Sequence, residues 1–103
     1  MNLAAFRASL SSSVRPAVSP ALVAMWWDGK GDWTRAHDVA QAIDDETGAW
    51  VHAYLHRKEG DLDNAAYWYR RARKEIPDDA LENEWERIVE ALLYTEDGMQ
   101  NTS

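Results

Sequence analysis

The chain of 103 residues is long enough for one small domain, and its 46% hydrophobic and 28% charged residues are typical of a folded globular protein. It contains no cysteine, so its fold cannot depend on disulfides, and any zinc site must use histidines and carboxylates. The formal net charge of −7 disfavours nucleic-acid binding, which requires a surface that attracts phosphates. The absence of cysteine fits a cytoplasmic protein, and since no apolar run approaches the roughly 20 residues of a membrane span, we expect no membrane contact.

The first part of the chain differs from the rest. Residues 1–18 show no sustained periodicity and are punctuated by serines and Pro16, which predicts a flexible N-terminal segment with a short helical turn near residues 3–10. Residues 19–98 are predicted to form a single all-α domain because glycine, proline and β-branched residues are sparse. Residues 99–103 are predicted to be a disordered tail.

The first two predicted helices have clear start and stop signals. The first begins at Ser19-Pro20, a helix cap followed by a proline at the first helical position, and it ends at the glycines of residues 29–31. Asp32 is then placed to cap the second helix, residues 33–45. We expect these two helices to form an antiparallel pair, because the turn between them is so short.

The next two helices repeat this arrangement. The third, residues 48–59, follows a break predicted at Gly48 and is apolar nearly all round, which is typical of a helix packed between others. Asp61 is placed to cap the fourth, residues 62–76, which Pro77 ends. The apolar stripe of the fourth helix comprises Leu62, Ala65, Tyr69, Ala72 and Ile76.

A fifth helix is predicted to start near Asp78 or Asp79 and to end before Gly98. Its apolar stripe comprises Leu81, Trp85, Ile88, Val89, Leu92 and Leu93. Its predicted water-facing residues are Glu84, Glu86, Arg87 and Glu90. The six tryptophans of the chain are interpreted as core residues rather than as a ligand-stacking box, because a short helical array needs large side chains to fill its interior.

The two helix pairs match each other when the chain is shifted by 29 residues. Gly31-Asp32 then falls on Gly60-Asp61, and Ala36 falls on Ala65. Glycine permits the tight turn, aspartate caps the following helix and alanine allows the helices to approach closely. The shift therefore predicts that the two dipeptides are equivalent turns.

Residues 53–77 resemble the tetratricopeptide repeat. The residues that carry the resemblance, in the order and spacing of the family, are Ala53, Gly60-Asp61-Leu62, Ala65, Tyr69, Ala72 and Pro77. The resemblance implies an all-α, right-handed stack of two antiparallel helical hairpins, closed by the fifth helix as a cap. It also implies a small non-catalytic module that binds an unidentified protein or peptide, and so short an array favours a homodimer as well.

In such a stack, one side of the third helix would line a concave groove. The groove residues implied by the resemblance are Trp50, Tyr54, Arg57 and Lys58, an aromatic surface edged by cations that suits a peptide with an acidic end. A second exposed patch comprises Tyr67, Arg70 and Arg71. The arginines belong to the basic run 70–74, which we interpret as a solvated helix face rather than a phosphate or RNA site.

The histidines suggest an alternative function. His52 and His56 lie one helical turn apart and share a face, and His37 lies beside the apolar stripe of the second helix. If the three imidazoles converge, they suit zinc or a similar metal in a metal-binding or hydrolytic protein. The carboxylates that could complete such a site are Asp38, Glu59 and Asp61.

The sequence favours a simpler interpretation of the same residues. The segment 52–56 lacks the glutamate that follows the first histidine in the HExxH motif, so we expect core histidines that are satisfied by hydrogen bonds. The candidate hydrogen-bond partners are Asn64, Tyr67 and Tyr69. We accordingly predict no catalytic residue and no cofactor, and we expect partial burial to make the histidine charge sensitive to pH.

Overall fold

The computed structural model describes residues 1–101, with side chains described through Glu96. This part of the chain contains six helices and no strand, as the all-α prediction requires. The helices are α1 (Leu3–Ser9), α2 (Pro20–Gly29), α3 (Trp33–Gln41), α4 (Glu46–Glu59), α5 (Leu62–Ala72) and α6 (Leu81–Asn101). None of the helices in the described region is both long and apolar enough to cross a bilayer.

The two predicted turns have the same geometry. Gly31 and Gly60 adopt φ angles of 86° and 87°, a left-handed conformation that glycine accepts without strain. Asp32 accepts a hydrogen bond from the backbone N–H of Arg35, and Asp61 accepts one from that of Asn64. These bonds confirm that each aspartate caps the helix that follows it.

The hydrogen bonds that close the two turns also keep the spacing of 29 residues. The backbone N–H of Asp32 donates to the carbonyl of Trp27 at 2.9 Å, and that of Asp61 donates to the carbonyl of His56 at 3.0 Å. The turn between α2 and α3 is therefore repeated between α4 and α5. Because these turns are only two or three residues long, each returns the chain alongside the helix it has just left.

The packing of the helices follows the chain order. α2 packs on α3, α3 on α4 and α4 on α5, while α6 contacts both α2 and α4. Helix α4 therefore lies in the middle of the molecule, and its buried residues lie on nearly every side of it. This central position explains why its sequence shows no broad polar face.

Several predicted helix boundaries are wrong, and α3 already ends at Gln41 rather than at residue 45. Gly48 does not break the chain, because α4 already begins at Glu46, and Asp45 caps it by accepting the N–H of Gly48 at 2.8 Å. A Cβ atom on Gly48 would lie 2.3 Å from the carbonyl oxygen of Ile43, so glycine is required here for close approach. Helix α6 continues to Asn101, past its predicted end before Gly98. Residues 102 and 103 of the predicted tail lie outside the described residues.

Helix α5 is shorter than predicted and ends at Ala72, because Arg73 turns left-handed with a φ angle of 57°. Its predicted apolar stripe is correct at Ala65, Tyr69 and Ala72, which are buried. The stripe is wrong at Leu62 and Ile76, which are 65% and 61% exposed because they lie at the first residue of the helix and beyond its last.

The N-terminal segment contributes to the core. Helix α1 occupies the predicted helical turn, and Phe6 is fully buried with its ring 5.9 Å from that of Trp85 on α6. The flexibility expected for residues 1–18 stays a prediction, but α1 is packed against α6. The buried tryptophans are Trp26 and Trp85, and the other four are partly buried, which fits their interpretation as core residues.

Candidate metal centre

The three histidines of the chain converge at the junction of α3 and α4. His37 comes from α3, while His52 and His56 come from successive turns of α4. The Nε2 atoms of His37 and His52 are 2.9 Å apart, and one ring nitrogen from each histidine can be chosen so that all three lie within 4.8 Å of one another. His52 and His56 are each 7% exposed, so the cluster is largely shielded from solvent.

Two tryptophans enclose the cluster. The indole of Trp33 stacks on His37 with ring centroids 4.9 Å apart, and that of Trp68 stacks on His52 at 4.0 Å. Trp33 is itself held by a hydrogen bond of 2.8 Å from its Nε1 to the carbonyl of Leu55 on α4. The imidazole planes are therefore fixed by rigid neighbours. This lowers the conformational entropy that the side chains would lose when they bind a ligand.

Burial lowers the pKa of two of the imidazoles and so favours their neutral form. The pKa of His52 is lowered to about 4, first by desolvation and then by the neighbouring His37 and His56. Desolvation and His56 also lower the pKa of His37, against the opposing effect of Asp38 and Glu59. Neutral imidazoles present lone pairs, which is the form that binds a metal ion.

His56 has polar partners of its own. Its Nδ1 lies 2.8 Å from Oε1 of Glu59, and its Nε2 lies 3.5 Å from the amide nitrogen of Asn64. Glu59, a candidate carboxylate, and Asn64, a candidate partner, both lie beside His56, whereas Tyr67 and Tyr69 bond to Arg71 and Glu84 instead. Within the described residues no buried side-chain nitrogen or oxygen lacks a hydrogen bond, as the core interpretation of the histidines requires.

The hydrogen bond between His37 and His52 is unusual because it joins two Nε2 atoms. One of these Nε2 atoms must carry the hydrogen and donate it to the lone pair of the other, so the two rings are different tautomers. A tetrahedral zinc ion with Zn–N bonds of 2.0–2.1 Å would separate its ligand nitrogens by about 3.3 Å. The 2.9 Å between the Nε2 atoms of His37 and His52 and the 4.8 Å limit on the set of three nitrogens lie on either side of this separation.

A cleft opens beside the cluster. It has a volume of about 320 Å³, and His52 and Trp68 form part of its lining. Asp44, Asp45 and Glu46 also line it, together with Arg71. The excess of acidic residues in this lining favours the approach of a cation over that of an anion.

The groove residues implied by the resemblance do not form an open surface. Tyr54 is 2% exposed and donates a hydrogen bond to Asp28 at 2.9 Å. Arg57 donates to Glu84 at 2.9 Å, and Lys58 donates to Asp28 at the same distance. Trp50 is partly buried beneath the ammonium group of Lys74, 4.2 Å from its ring centroid. Of the four residues, Lys58 is exposed, Trp50 and Arg57 are partly buried and Tyr54 is buried.

The second predicted patch is exposed. Tyr67 is 45% exposed, and the guanidinium of Arg71 lies over its ring and donates to its hydroxyl at 3.1 Å. Arg70 is also exposed. Among the described helices, only α4 packs extensively on α5, so this outer face of α5 is open to solvent.

The sequence analysis missed two buried carboxylates that contact α4. Glu84 was predicted to face water but is 1% exposed, and it accepts hydrogen bonds from the hydroxyl of Tyr69 at 2.7 Å and from Arg57. Asp28 at the end of α2 is 3% exposed, between Tyr54 and Lys58. The one sequence signal that could have predicted their burial is the position of each carboxylate at the edge of an apolar stripe.

The comparisons with known proteins supply no relative. No family model matches the chain, and no curated protein or solved structure matches it. A function for the histidine cluster must therefore follow from its geometry and chemistry.

Proposed function

We propose that the protein binds one divalent transition-metal ion of the zinc class through His37, His52 and His56. The observation that carries this proposal is the convergence of three ring nitrogens, from two helices, within 4.8 Å. Imidazole ligands suit Zn²⁺, Cu²⁺, Ni²⁺ and Co²⁺, whereas Mg²⁺ and Ca²⁺ prefer oxygen ligands. Because the ligands come from both helix pairs, the bound ion would join α3 to α4.

Three protein ligands leave a fourth position for water or for a substrate. Structural zinc sites are usually closed by a fourth protein ligand, whereas catalytic sites keep this position open. The histidine cluster supports metal binding first, and metal-assisted hydrolysis is the reaction class that the open position would allow.

The test is metal stoichiometry. Chelator-treated protein, loaded with Zn²⁺ and passed through gel filtration, is expected to retain one ion per chain by elemental analysis. The variants His37→Gln, His52→Gln and His56→Gln should each weaken binding at least tenfold, whereas Glu90→Gln, an exposed change on α6, should not. Because these are the only histidines in the chain, zinc retained equally by all four variants would overturn the proposal.

The exposed face of α5 favours a second candidate function, that of a small interaction module. We infer that Tyr67, Arg70 and Arg71 bind an acidic protein segment, and that the helix pairs stack in the right-handed manner of tetratricopeptide arrays. The repeated turn geometry supports the stack, and the cations support the charge of the partner. An acidic protein segment that binds the wild-type protein but not the double variant Arg70→Glu/Arg71→Glu would support this function. Light scattering that shows a strict monomer would remove the homodimer.

A further inference from the structure

The tautomer of His56 can be read from its carboxylate partner. Its Nδ1 lies 2.8 Å from Oε1 of Glu59, one turn further along α4. An ionised carboxylate only accepts hydrogen bonds, so the Nδ1 of His56 carries the hydrogen. In a neutral imidazole this leaves the lone pair on Nε2, the nitrogen on the far edge of the ring.

Asn64 indicates the same tautomer independently. Its amide nitrogen lies 3.4 Å from Oδ2 of Asp61, and because a carboxylate cannot donate, the NH₂ group must face that way. The same nitrogen lies 3.5 Å from Nε2 of His56, so it donates to the Nε2 lone pair. The contact is at the long limit of a hydrogen bond, and a metal ion can replace it at little cost.

We propose that Glu59 is a positioning residue that fixes His56 as the preset ligand of the metal centre. This inference rests on the proposed metal-binding function. Carboxylates that accept the second N–H of a ligand histidine fix its tautomer and ring orientation and raise its basicity. His37 and His52 share one proton between their facing Nε2 atoms, so one of them must move its hydrogen to Nδ1 before both Nε2 atoms can bind, whereas His56 need only give up its long contact with Asn64. In this proposal Nε2 of His56 is the nitrogen that binds the ion, and it carries no hydrogen before the ion arrives.

A different role for Glu59 has a distinct consequence. One ligand atom from each of His56, Glu59 and Asp61 also lies within 4.8 Å of the others, so these residues could hold an ion directly. In that arrangement Glu59 would be a ligand, His56 would lose its Nδ1 hydrogen and the chain would bind a second ion. A positioning role predicts one ion per chain.

The experiment compares wild type with Glu59→Gln and with Glu90→Gln as the matched surface control. Long-range ¹H–¹⁵N correlation spectra of the metal-free proteins report the tautomer of His56. Glutamine can either accept from Nδ1–H or donate to a bare Nδ1, so it does not enforce one tautomer. We expect a single Nδ1–H form in wild type and in Glu90→Gln, and a mixture in Glu59→Gln. We expect the Zn²⁺ affinity of Glu59→Gln to fall 10- to 100-fold.

The outcomes separate this inference from the proposed function. Wild-type zinc affinity in Glu59→Gln, or an unchanged tautomer, would overturn the positioning role and leave metal binding intact. Two zinc ions per chain, with one lost in Glu59→Gln, would also overturn it, since Glu59 would then be a ligand. A wild type that binds no zinc would remove the function and the inference together. Thermal unfolding of the two variants, compared with wild type, will distinguish a loss of zinc affinity from a loss of folded protein.

Discussion

The two sides of α4 hold polar side chains in different ways. Toward α2 and α6, Arg57 donates to the buried Glu84, and Lys58 donates to the buried Asp28, so each charge is paired. Toward α3, the facing nitrogens of His52 and His37 depend on each other for a hydrogen bond. We call these two sides the ion-pair side and the imidazole side of α4.

The difference separates polar groups that build the fold from groups that are free to bind. Charges that are buried and fully paired stabilise one arrangement, and removal of either partner leaves the other uncompensated. Two imidazoles that share one proton can exchange this bond for a metal ion without leaving a buried group unsatisfied. Four predictions test this contrast, and the largest expected effect comes first.

On the ion-pair side, Glu84→Ala should lower the free energy of unfolding by about 3–5 kcal/mol, because it leaves Arg57 and the hydroxyl of Tyr69 without their buried acceptor. Urea titration followed by circular dichroism measures the change. As a control, Glu86→Ala removes a surface pair with Arg7 and should cost less than about 1 kcal/mol. Similar losses in the two variants would show that the burial of Glu84 carries no special weight.

On the imidazole side, acid should destabilise the metal-free protein. The pKa of His52 is about 4 in the fold but has its ordinary value of 6.5 in the unfolded chain, so the unfolded chain binds more protons between these values. Stability is therefore complete above the unfolded value and falls as the pH drops toward the folded one. From pH 7 to pH 5 the loss due to His52 should be about 2 kcal/mol.

The control for the acid effect is His52→Gln, because the carboxylates of the chain also titrate in acid. The free energy of unfolding, measured in urea at both pH values, should fall less steeply in this variant than in wild type. Parallel pH profiles would refute the assignment of the effect to His52. A flat wild-type profile between pH 5 and pH 7 would refute the burial of a neutral imidazole.

The tryptophan at the edge of the imidazole side should matter moderately. Trp33→Phe keeps an aromatic ring against His37 but removes the hydrogen bond to the carbonyl of Leu55, at a cost of about 1 kcal/mol. Its zinc affinity should fall too, because His37 loses a fixed neighbour. Trp27→Phe is the matched control, with a smaller effect expected on both measurements. An equal effect of the two variants on zinc affinity would exclude a role for Trp33 in holding His37.

The smallest effect is expected from His37→Gln in the absence of metal. His37 is partly exposed, so its replacement should change the free energy of unfolding by less than about 1 kcal/mol. Wild type with free Zn²⁺ at 100 times its dissociation constant should gain about 2.7 kcal/mol, and the variant, which binds at least tenfold more weakly, should gain no more than about 1.4 kcal/mol at that concentration. Thermal melts with and without zinc measure both values. A large loss of metal-free stability would place His37 among the residues that build the fold.

The features that the sequence predicted well are local ones. Gly31-Asp32 and Gly60-Asp61 are recognisable because a left-handed residue and a helix cap are encoded within a few positions of each other. The spacing of His52 and His56 on one face of α4 is equally local. The approach of His37 depends on how α3 packs on α4, so the sequence could only raise it as an alternative.

The features that the sequence predicted badly depend on distant partners. Tyr54, Arg57 and Lys58 look like an exposed groove until α6 places Glu84 against Arg57, and α2 places Asp28 against Lys58. Periodicity assigns a glutamate to the water-facing side of a helix. It cannot indicate that an arginine 27 residues away will compensate the buried charge with an ion pair. Arg73 ended α5 early without any glycine to signal the turn.

The stacking of Trp33 on His37 and of Trp68 on His52 gives the native chain its own optical probe. Indole fluorescence is quenched by contact with a protonated imidazole or with a paramagnetic ion such as Cu²⁺. Two of the six tryptophans therefore contact imidazole rings that take up a proton or a metal ion, while the other four contribute a background emission. Emission from the unlabelled protein can follow ring protonation and ion loading in real time.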